Sequence, residues 1–440
     1  MAGKDAKLVK TTRVLLILPW HETDRSYRTA FSTMLSYAPI TLGSLAAIIE
    51  RARPDWVVDT VDEMSQKIDL NKYYDIVMFT ATTATVNHGY KIAEAYKEKG
   101  AYTCVGGYHV NYNSDEALKH VDTVFVGPGE YTIPRFLDDW ECGEPKQKYE
   151  EKCVAGKDIP APDRSKISLK HYLKVPAVLA NPGCPHHCSY CSISDMWHDA
   201  SARPVENVIA EIKAMKKKTI IFFDPNFFGN REYSIALMKE LEKLKIRWVG
   251  SATIELGFDE ELLTLAEKSG CNGLLFGLES LNQAALRNMG KGFNKVEQYK
   301  EAINNIKRHG IMVNGCFVLG MDYDTEEDLL DLPNQVDELG LNLARFAILT
   351  PVPGTMLYEK MDKAGRIHDK HWEDYTQHKA VFTPENMTPE RLEEIYRYVW
   401  NETYRYKNIF KRVRKITTKG LKARLMGFGA NLGFKYLGLQ

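Results

Sequence analysis

The sequence lacks the features that place a protein in a membrane or outside the cell. No apolar run approaches the ~20 residues needed to cross a bilayer, and the first run, Val14 to Leu18, is short. Residues 1–10 are mostly polar, which is not typical of an export signal. The 8 cysteines show no disulfide-like framework. We therefore expect a protein of the reducing cytoplasm.

An excess of charge of either sign is also missing. The 58 basic residues, Lys and Arg, are balanced by 58 acidic ones, so the formal net charge is zero. No overall field points to nucleic acid, and we expect no nucleic-acid partner. The 440 residues, 44% hydrophobic and 26% charged, indicate an ordinary globular protein of two or three domains.

The clearest chemical motif is the segment Asn-Pro-Gly-Cys-Pro-His-His-Cys-Ser-Tyr-Cys-Ser at 181–192, which directly follows an apolar run. It places Cys184, Cys188 and Cys191 in a C-x3-C-x2-C pattern. Three thiolates on one short loop can hold three irons of a [4Fe–4S] cluster. The fourth iron then lacks a protein ligand, and an open position lets a metal site bind a substrate.

A zinc site is the alternative interpretation of the same cysteines. Zinc would need a fourth ligand, for which His186, His187 and His198 are candidates. The C-x3-C-x2-C spacing is less usual for zinc than paired C-x2-C spacings. The other cysteines are most simply buried apolar residues or surface thiols: Cys104, Cys142, Cys153, Cys271 and Cys316.

With the aromatic Tyr190 directly before the last cysteine, the motif resembles that of the radical S-adenosylmethionine (SAM) superfamily. The resemblance implies that the open iron chelates the amino and carboxylate groups of SAM. It implies that the reduced cluster cleaves SAM to a 5′-deoxyadenosyl radical. It also implies an external one-electron reductant of the flavodoxin or ferredoxin type.

Residues 10–140 alternate apolar strands with helices, which predicts a doubly wound, Rossmann-like α/β domain. Residues 141–176 have the Gly, Pro and charge content of a linker. Residues 177–350 repeat the strand–helix unit six times, which predicts a partial (β/α)6 barrel of the TIM type. Residues 351–440 form a mostly helical C-terminal extension. Ligands of both sheet types bind at the carboxyl ends of the strands.

Small and polar residues follow the strands of the first domain. Together with Pro39-Ile-Thr-Leu-Gly43, the Gly-rich stretches resemble the cobalamin-binding domain that precedes many radical SAM enzymes. The resemblance implies cobalamin contacts at Leu42, Thr80, Thr82, Gly106, Gly107, His109, Gly127, Gly129 and Glu130. Neither Gly stretch has the G-x-G-x-x-G form of a dinucleotide site. A vestigial domain without cofactor is the alternative, since glycine-rich loops also serve as turns.

The first domain departs from one cobalamin pattern. The D-x-H-x-x-G motif that supplies a lower cobalt ligand is absent, and the loop with His21 does not match it. Because the radical SAM branch commonly lacks this histidine, the resemblance implies cobalt without a lower histidine ligand.

Polar residues also follow the strands of the second domain. In the radical SAM superfamily, which the cysteine motif resembles, residues at these positions contact SAM. The resemblance implies SAM-binding roles for Tyr190, Asp224, Asn226, Ser251, Thr253, Glu279, Ser280 and Gly320. The alternative for Asp224 and Ser280 is helix N-capping, because both side chains suit that position. No proton donor or acceptor is indicated by the sequence, so catalytic acids and bases are left unassigned.

The C-terminal segment is basic and amphipathic. Thr350-Pro-Val-Pro-Gly-Thr355 and Met387-Thr-Pro-Glu390 resemble the extension of the cobalamin-dependent radical SAM group. After Glu402 the sequence contains no acidic residue, and Lys and Arg alternate with apolar side chains. This pattern is typical of helices that lie on anionic membranes. RNA binding, or a helix docked on the core, are the alternatives.

Together these features predict a cobalamin-dependent radical SAM methyltransferase. It would use a [4Fe–4S] cluster, SAM and cobalamin to methylate an unactivated carbon of an apolar substrate, such as a lipid, an isoprenoid or a tetrapyrrole. The enzymatic alternative is a radical SAM cyclase resembling the anaerobic cyclase of magnesium-protoporphyrin monoester. The alternative from another class is a non-catalytic zinc or cobalamin sensor.

Overall fold

The computed structural model describes residues 11–20, 36–193, 197, 201–414 and 420–437. Two candidate residues named above, His21 and His198, lie outside these ranges. The described chain divides into two compact units. The first contains residues 11–20, 39–152 and 160–168, and the second contains 36–38, 153–159 and the described residues from 169 onward.

The first unit contains a parallel sheet of six strands. They are β1 (Arg13–Leu18), β2 (Val57–Asp62), β3 (Ile76–Thr80), β4 (Tyr102–Gly106), β5 (Thr123–Val126) and β6 (Lys148–Glu150). Their order is β2-β1-β3-β4-β5-β6. In β1, residues 14–17 are fully buried, which explains why that strand is a continuous apolar run. The order reverses between β1 and β3, and ligands of doubly wound sheets bind at such a point.

Five helices connect these strands in the described residues of this unit. They are α1 (Thr41–Ala52), α2 (Val86–Lys97), α3 (Tyr108–Tyr112), α4 (Ser114–Ala117) and α5 (Gly129–Glu141). The structure differs from the sequence prediction at the end of this unit. Strand β6 lies in the segment predicted as a linker, yet Val124 and Lys148 are register partners in the sheet. The first unit therefore extends to residue 152 rather than 140.

The second unit contains another parallel sheet of six strands. They are β7 (Ala177–Val178), β8 (Thr219–Phe222), β9 (Arg247–Ala252), β10 (Cys271–Glu279), β11 (Met312–Leu319) and β12 (Leu343–Ile348). They pair in chain order, and no pairing joins β7 to β12 among the described residues. A consecutive order with two open ends is what a partial barrel requires.

The helices of the second unit follow the strands in alternation. They are α6 (Val205–Met215), α7 (Arg231–Leu244), α8 (Glu260–Lys268), α9 (Gln283–Asn288), α10 (Tyr299–Arg308), α11 (Glu326–Leu339), α12 (Met356–Lys363), α13 (Pro389–Thr403), α14 (Tyr406–Arg414) and α15 (Gly420–Leu437). Sequence signals explain the ends of many of them. Asp259 caps α8 by accepting a bond from the Leu262 N–H, and Thr388 caps α13 in the same way. Within the described residues, no helix is long and apolar enough to cross a membrane.

The C-terminal helices dock on the second unit. Trp400 of α13 packs edge-on against Phe346 of β12, and the ring of Phe434 of α15 lies tilted beside Trp400, with 6.4 Å between centroids. The Arg412 guanidinium of α14 is buried, where it pairs with Asp337 at 3.3 Å and donates to the Thr403 carbonyl at 2.6 Å. A buried charge needs such partners. Within the described part of the tail, the docked-helix alternative accounts for Ile409, Val413, Phe428, Leu432 and Phe434, which pack on the core.

Candidate active site

The cysteine loop begins at the carboxyl end of β7, where the Asp224 carboxylate fixes its backbone. One oxygen accepts the Ala180 N–H at 2.7 Å, and the other accepts the Asn181 N–H at 3.0 Å. Burial raises the pKa of Asp224 to about 7, although the two N–H donors oppose the rise. The carboxylate predicted to contact SAM is thus already used to position the loop.

A buried ion pair supports the same end of the loop. The Arg203 guanidinium donates to the Leu179 carbonyl at 2.8 Å and pairs with Glu211 at 2.8 Å. Both side chains are at most 4% exposed. The Arg203 N–H also donates to the Ala180 carbonyl. Because a buried charge is tolerated only with partners, this arrangement specifies one conformation of the strand end.

The far end of the loop is held by the segment after α9. The Ser189 N–H donates to the Met289 carbonyl at 3.0 Å, and the Ser189 carbonyl accepts the Leu357 N–H at 2.9 Å. The His186 ring stacks on Phe293 with 4.0 Å between centroids. Burial lowers the pKa of His186. Both ends of the loop are therefore attached to the second sheet and its helices.

The three motif cysteines lie close enough to affect one another electrostatically. Cys188 is buried, whereas Cys184 and Cys191 are half-buried. Burial raises the pKa of Cys184, and it raises the pKa of Cys188 to about 11. Metal binding would convert these neutral thiols to thiolates and release their protons.

The spacing of the thiols fits a cluster better than a single zinc ion. Tetrahedral zinc holds its sulfur ligands at about 2.3 Å, so their mutual distances are short. The cysteines do not form a set of ligand atoms within 4.8 Å of one another; in the described chain only Asp369, His371 and Asp374 do so. An iron–sulfur cluster spreads its thiolates over separate irons. A donor set of three thiols on one loop suits such a cluster. His198, a candidate zinc ligand, lies outside the described residues.

A buried lysine–glutamate pair lies beside the cysteines. The Lys291 ammonium is 2.8 Å from a Glu279 carboxylate oxygen, and both side chains are 10% exposed. Burial acts to lower the pKa of Lys291, but the charges of Glu279 and the neighbouring cysteines outweigh it and raise the pKa. The Tyr190 hydroxyl lies 3.5 Å from the ammonium. The structure thus brings Tyr190 and Glu279 together with the cysteines.

Glu279 occupies a strained backbone position at the end of β10. Its φ is +66°, in the left-handed region that non-glycine residues rarely adopt. The pairing of β10 with β11 also shifts register between Gly277 and Glu279. Strain of this kind costs on the order of 1–3 kcal/mol and concentrates at functional sites. The bulge aims the Glu279 side chain at Lys291.

The remaining residues predicted to bind SAM lie at other strand ends of the second sheet. Asn226 is buried, and its side-chain oxygen accepts the Phe228 N–H at 3.2 Å. Ser251 lies in β9, and Thr253 follows it. The Ser280 hydroxyl accepts the Asn282 N–H at 3.0 Å, and Asn282 rather than Ser280 caps α9.

Gly320 follows β11 at a φ of +91°, which favours glycine. A side chain there would collide with Leu392, at 2.5 Å from a Cβ. The Gly320 N–H and the Met321 N–H both donate to the Asp324 carboxylate, at 3.0 and 2.9 Å. Packing and turn geometry therefore account for the glycine at this position.

In the first unit, several residues predicted to contact cobalamin lie at the carboxyl edge of the sheet. Thr80 and Gly106 end the neighbouring strands β3 and β4 and are register partners. Gly107 has a φ of +104°, and a Cβ there would lie 2.6 Å from the Ala81 carbonyl oxygen. Thr82 follows in the loop after β3 and its N–H donates to Thr85. Close backbone packing therefore explains the glycine at 107, and the residues at this edge are small.

The other predicted cobalamin contacts have individual environments. The Gly127 N–H donates to the Asn111 side chain at 2.8 Å, and Gly129 begins α5. Burial raises the pKa of Glu130, in the first turn of that helix. Leu42 is buried in the first turn of α1. His109 is fully buried, with a ring nitrogen 3.1 Å from a Glu116 oxygen, which gives it a packing environment.

Sequence reasoning missed Lys291, Arg203 and Glu211. Lys291 stands between two glycines after a short helix, a context that resembles any surface turn. Arg203 and Glu211 are eight positions apart across a helix start, and nothing in the sequence marks them as buried. Charged residues are usually exposed, so their burial could be found only from the fold.

Comparisons with known proteins agree with this site. Residues 178–336 match the radical SAM superfamily. Residues 355–427 match a domain of unknown function, DUF4070. The bacteriochlorophyllide d C-12(1)-methyltransferase of Chlorobaculum tepidum is 28% identical over 353 residues, 78% of this chain and 77% of that protein. The anaerobic magnesium-protoporphyrin IX monomethyl ester cyclase of Rubrivivax gelatinosus is 26% identical, over 74% of this chain and 65% of that protein.

A solved structure shares the fold of nearly the whole chain. TsrM from Kitasatospora setae, a radical SAM methyltransferase with cobalamin and a [4Fe–4S] cluster bound, superposes with a TM-score of 0.69 at 14% identity. The match covers 97% of this chain and 99% of TsrM. The prediction of a radical SAM enzyme is confirmed, as are two parallel α/β sheets followed by a helical C-terminus. Residues 178–336 therefore form a radical SAM domain, in a chain that is similar over most of its length to a methyltransferase and a cyclase that act on tetrapyrroles.

Proposed function

We propose that this chain is a cobalamin-dependent radical SAM methyltransferase that acts on an unactivated carbon of an apolar substrate. The observation that carries the proposal is the loop of three cysteine thiols at the carboxyl edge of a parallel sheet, with Glu279 and Lys291 beside it. When bound, the cluster and SAM supply a 5′-deoxyadenosyl radical and cobalamin supplies the methyl group. An external one-electron reductant of the flavodoxin or ferredoxin type provides the electron.

The chain's own residues hold and orient the cofactors. Cys184, Cys188 and Cys191 are the three cluster ligands. Asp224 keeps the backbone at the start of the loop in place, so its contribution to SAM binding is indirect. Glu279 presents a carboxylate beside the cluster loop, where an acceptor suits the ammonium group of SAM. The further SAM contacts that we propose are Tyr190, Asn226, Ser251, Thr253, Ser280 and Gly320.

The first unit is the proposed cobalamin-binding domain. Its strand order and the small residues at the carboxyl edge support this role. Thr80, Thr82, Gly106, Gly107 and Gly127 are the contacts nearest that edge, while Leu42, His109, Gly129 and Glu130 complete the predicted set. The absence of a lower histidine stays a prediction, because the loop with His21 lies outside the described residues.

A tetrapyrrole is the substrate class that we favour among apolar molecules. Two relatives that match most of this chain, the bacteriochlorophyllide methyltransferase and the magnesium-protoporphyrin cyclase, act on tetrapyrroles. The name of the first relative refers to methyl transfer, and the name of the second refers to cyclisation. Methyl transfer is the leading proposal because the methyltransferase matches a larger share of both chains.

Labelled SAM separates the two reactions. The holoenzyme, reconstituted without oxygen and supplied with reductant and a candidate tetrapyrrole, is expected to form 5′-deoxyadenosine and to transfer the methyl label from SAM to the product. Mass spectrometry of the product would show the gain of one labelled methyl group. Formation of 5′-deoxyadenosine with an unlabelled, oxidised product would support cyclisation instead. Loss of both activities in a cobalt- and iron-loaded protein would contradict the proposal.

The tail also presents an exposed basic and apolar surface, and we infer peripheral contact with the inner face of an anionic membrane. Phe410 and Leu425 are exposed at 51% and 62%, although neighbouring apolar residues pack on the core. Phosphatidylglycerol vesicles are expected to retain the wild-type chain at low salt. The pair F410S and L425S is expected to reduce retention at least about threefold. Equal retention of the wild type and the double variant would count against membrane contact. So would equal retention of the wild type by neutral and by anionic vesicles.

A further inference from the structure

Arg345 lies in the middle of β12, a strand of the second sheet. It is exposed, whereas its neighbours Ala344 and Phe346 are at most 1% exposed. Side chains alternate across a strand, so Arg345 points away from the side on which Phe346 packs against Trp400. A charged side chain in the middle of a strand, rather than at its end, indicates a specific interaction for that side chain.

This face is shared with the cysteine loop site. Arg345 and Cys316 are register partners in neighbouring strands, and Cys316 is in turn the partner of Gly277. Burial raises the pKa of Cys316 to about 12; the charge of Glu279 adds to the rise, while Arg345 and Lys291 oppose it. These groups are therefore within electrostatic reach of one thiol, on the face that carries the proposed active site.

The walls of this face are mostly apolar, and the arginine has no anionic partner. Half-buried apolar side chains with the same alternation line the neighbouring strands: Val249, Leu275, Val318 and Ala347. Among the described residues no carboxylate pairs with Arg345, although Arg203, Arg366 and Arg412 each have one. Two positions before Cys316 on the same face, the Asn314 side-chain oxygen is buried without a hydrogen-bond partner.

We propose that Arg345 binds a carboxylate of the apolar substrate and so sets how the substrate is oriented on this face. The proposal rests on the proposed function, whose substrate class it narrows to apolar molecules with an acidic side group. Tetrapyrroles with free carboxylate side chains belong to that class, and uncharged polycyclic hydrocarbons do not. A guanidinium offers a planar pair of N–H donors that matches a carboxylate. The unpartnered Asn314 oxygen would accept an N–H or O–H of the same molecule.

Binding of a porphyrin acid and its ester tests this. The full chain, as the anaerobically reconstituted holoenzyme, would be titrated with protoporphyrin IX and with its dimethyl ester, and the dissociation constants measured by fluorescence. We expect the acid to bind at least roughly tenfold more tightly than the ester, as a charged hydrogen bond implies. R345Q is expected to remove the preference, and R345K to keep part of it.

Arg247 supplies the matched control. It is an exposed arginine at the start of β9, on the amino edge of the same sheet, and it has no ion pair among the described residues. R247Q is expected to keep the preference for the acid. If R345Q and R247Q unfold at the same temperature as the wild type, both variants are folded. If the unfolding temperature is lowered in R345Q but not in R345K, the binding preference of R345K is compared with that of the wild type instead.

Three outcomes would overturn the proposal: equal binding of acid and ester by the wild type, binding of neither, or a preference that survives in R345Q. The enzymatic proposal fails separately. A wild-type holoenzyme that forms 5′-deoxyadenosine but does not discriminate acid from ester would contradict only the role of Arg345. A chain that discriminates between them but never cleaves SAM would contradict only the enzymatic function.

Discussion

C191A is expected to lose the cluster and to lower 5′-deoxyadenosine formation at least about 100-fold, since loss of even an outer-shell partner costs 10–100-fold in metal affinity. Cys191 is the last of the three thiols on the loop, and its N–H donates to the Cys188 carbonyl at 3.0 Å. Removing one of three thiolates leaves two irons without protein ligands. Iron and sulfide content after anaerobic reconstitution, together with absorbance near 400 nm, would measure the loss.

An exposed thiol outside the loop gives the control. Cys142 follows α5 in the first unit and is exposed. C142S is expected to keep wild-type iron content and wild-type 5′-deoxyadenosine formation. If C191A bound as much iron as C142S, the loop would not be the cluster site. A zinc content of one per chain that depended on Cys191 would favour the sensor alternative.

K291M is expected to destabilise the second unit by about 3–5 kcal/mol, because it leaves the Glu279 carboxylate buried without its cation. The two groups are 2.8 Å apart, and each side chain is only 10% exposed. The buried position makes this pair unlike a surface ion pair, which contributes at most about 1 kcal/mol. The free energy of unfolding would be measured by urea unfolding, monitored by tryptophan fluorescence, to which the buried Trp248 of the second unit contributes. Calorimetry of thermal unfolding would give an independent value.

The double variant E279Q/K291M isolates the cause. It removes both charges, so most of the lost stability is expected to return, while SAM binding and cleavage stay impaired because the carboxylate is gone. K243M is the surface control, since its pair with Glu240 is 67% and 41% exposed. It should change stability by less than about 1 kcal/mol. Equal stability of K291M and K243M would show that the Lys291–Glu279 pair contributes no more than a surface contact.

The strand–helix order could be predicted from the sequence because its apolar periodicity is strong. Strand β5 (Thr123–Val126) and helix α1 (Thr41–Ala52) are examples, since each follows the apolar pattern of its element type. Strand β6 could not be found, since Lys148–Glu150 is short and two of its three residues are charged. Helix α5 contains Pro134, and a proline inside a helix obscures the pattern by which the helix is recognised in the sequence.

The site divides in the same way. The three cysteines and Glu279 stand out in sequence because their spacing or strand-end position is distinctive. The role of Asp224 in positioning the loop could not be predicted, because only the fold brings its carboxylate to the Ala180 and Asn181 N–H groups. These groups are 44 and 43 residues away in the chain. Lys291 and Arg345 could not be identified as site residues from the sequence for the same reason. A lone basic residue acquires meaning only from the groups that surround it.

The tail shows how a correct pattern can have two explanations. Its basic and apolar residues alternate as predicted, yet Ile409 and Arg412 are buried against the second unit. Arg412 lies 4.9 Å over the Tyr404 ring and bonds to Asn431 of α15. Amphipathic periodicity indicates that one face is covered, and it does not say whether protein or lipid covers it.

The central claim is that three thiolates hold a cluster and leave one iron open to SAM. Electron paramagnetic resonance of the reduced, anaerobically reconstituted chain tests it most directly, before and after addition of SAM. The spectrum is expected to be that of a reduced [4Fe–4S] cluster, to change when SAM binds, and to be absent in C191A. Zinc at these cysteines, or a cluster spectrum that SAM leaves unaltered, would contradict the claim.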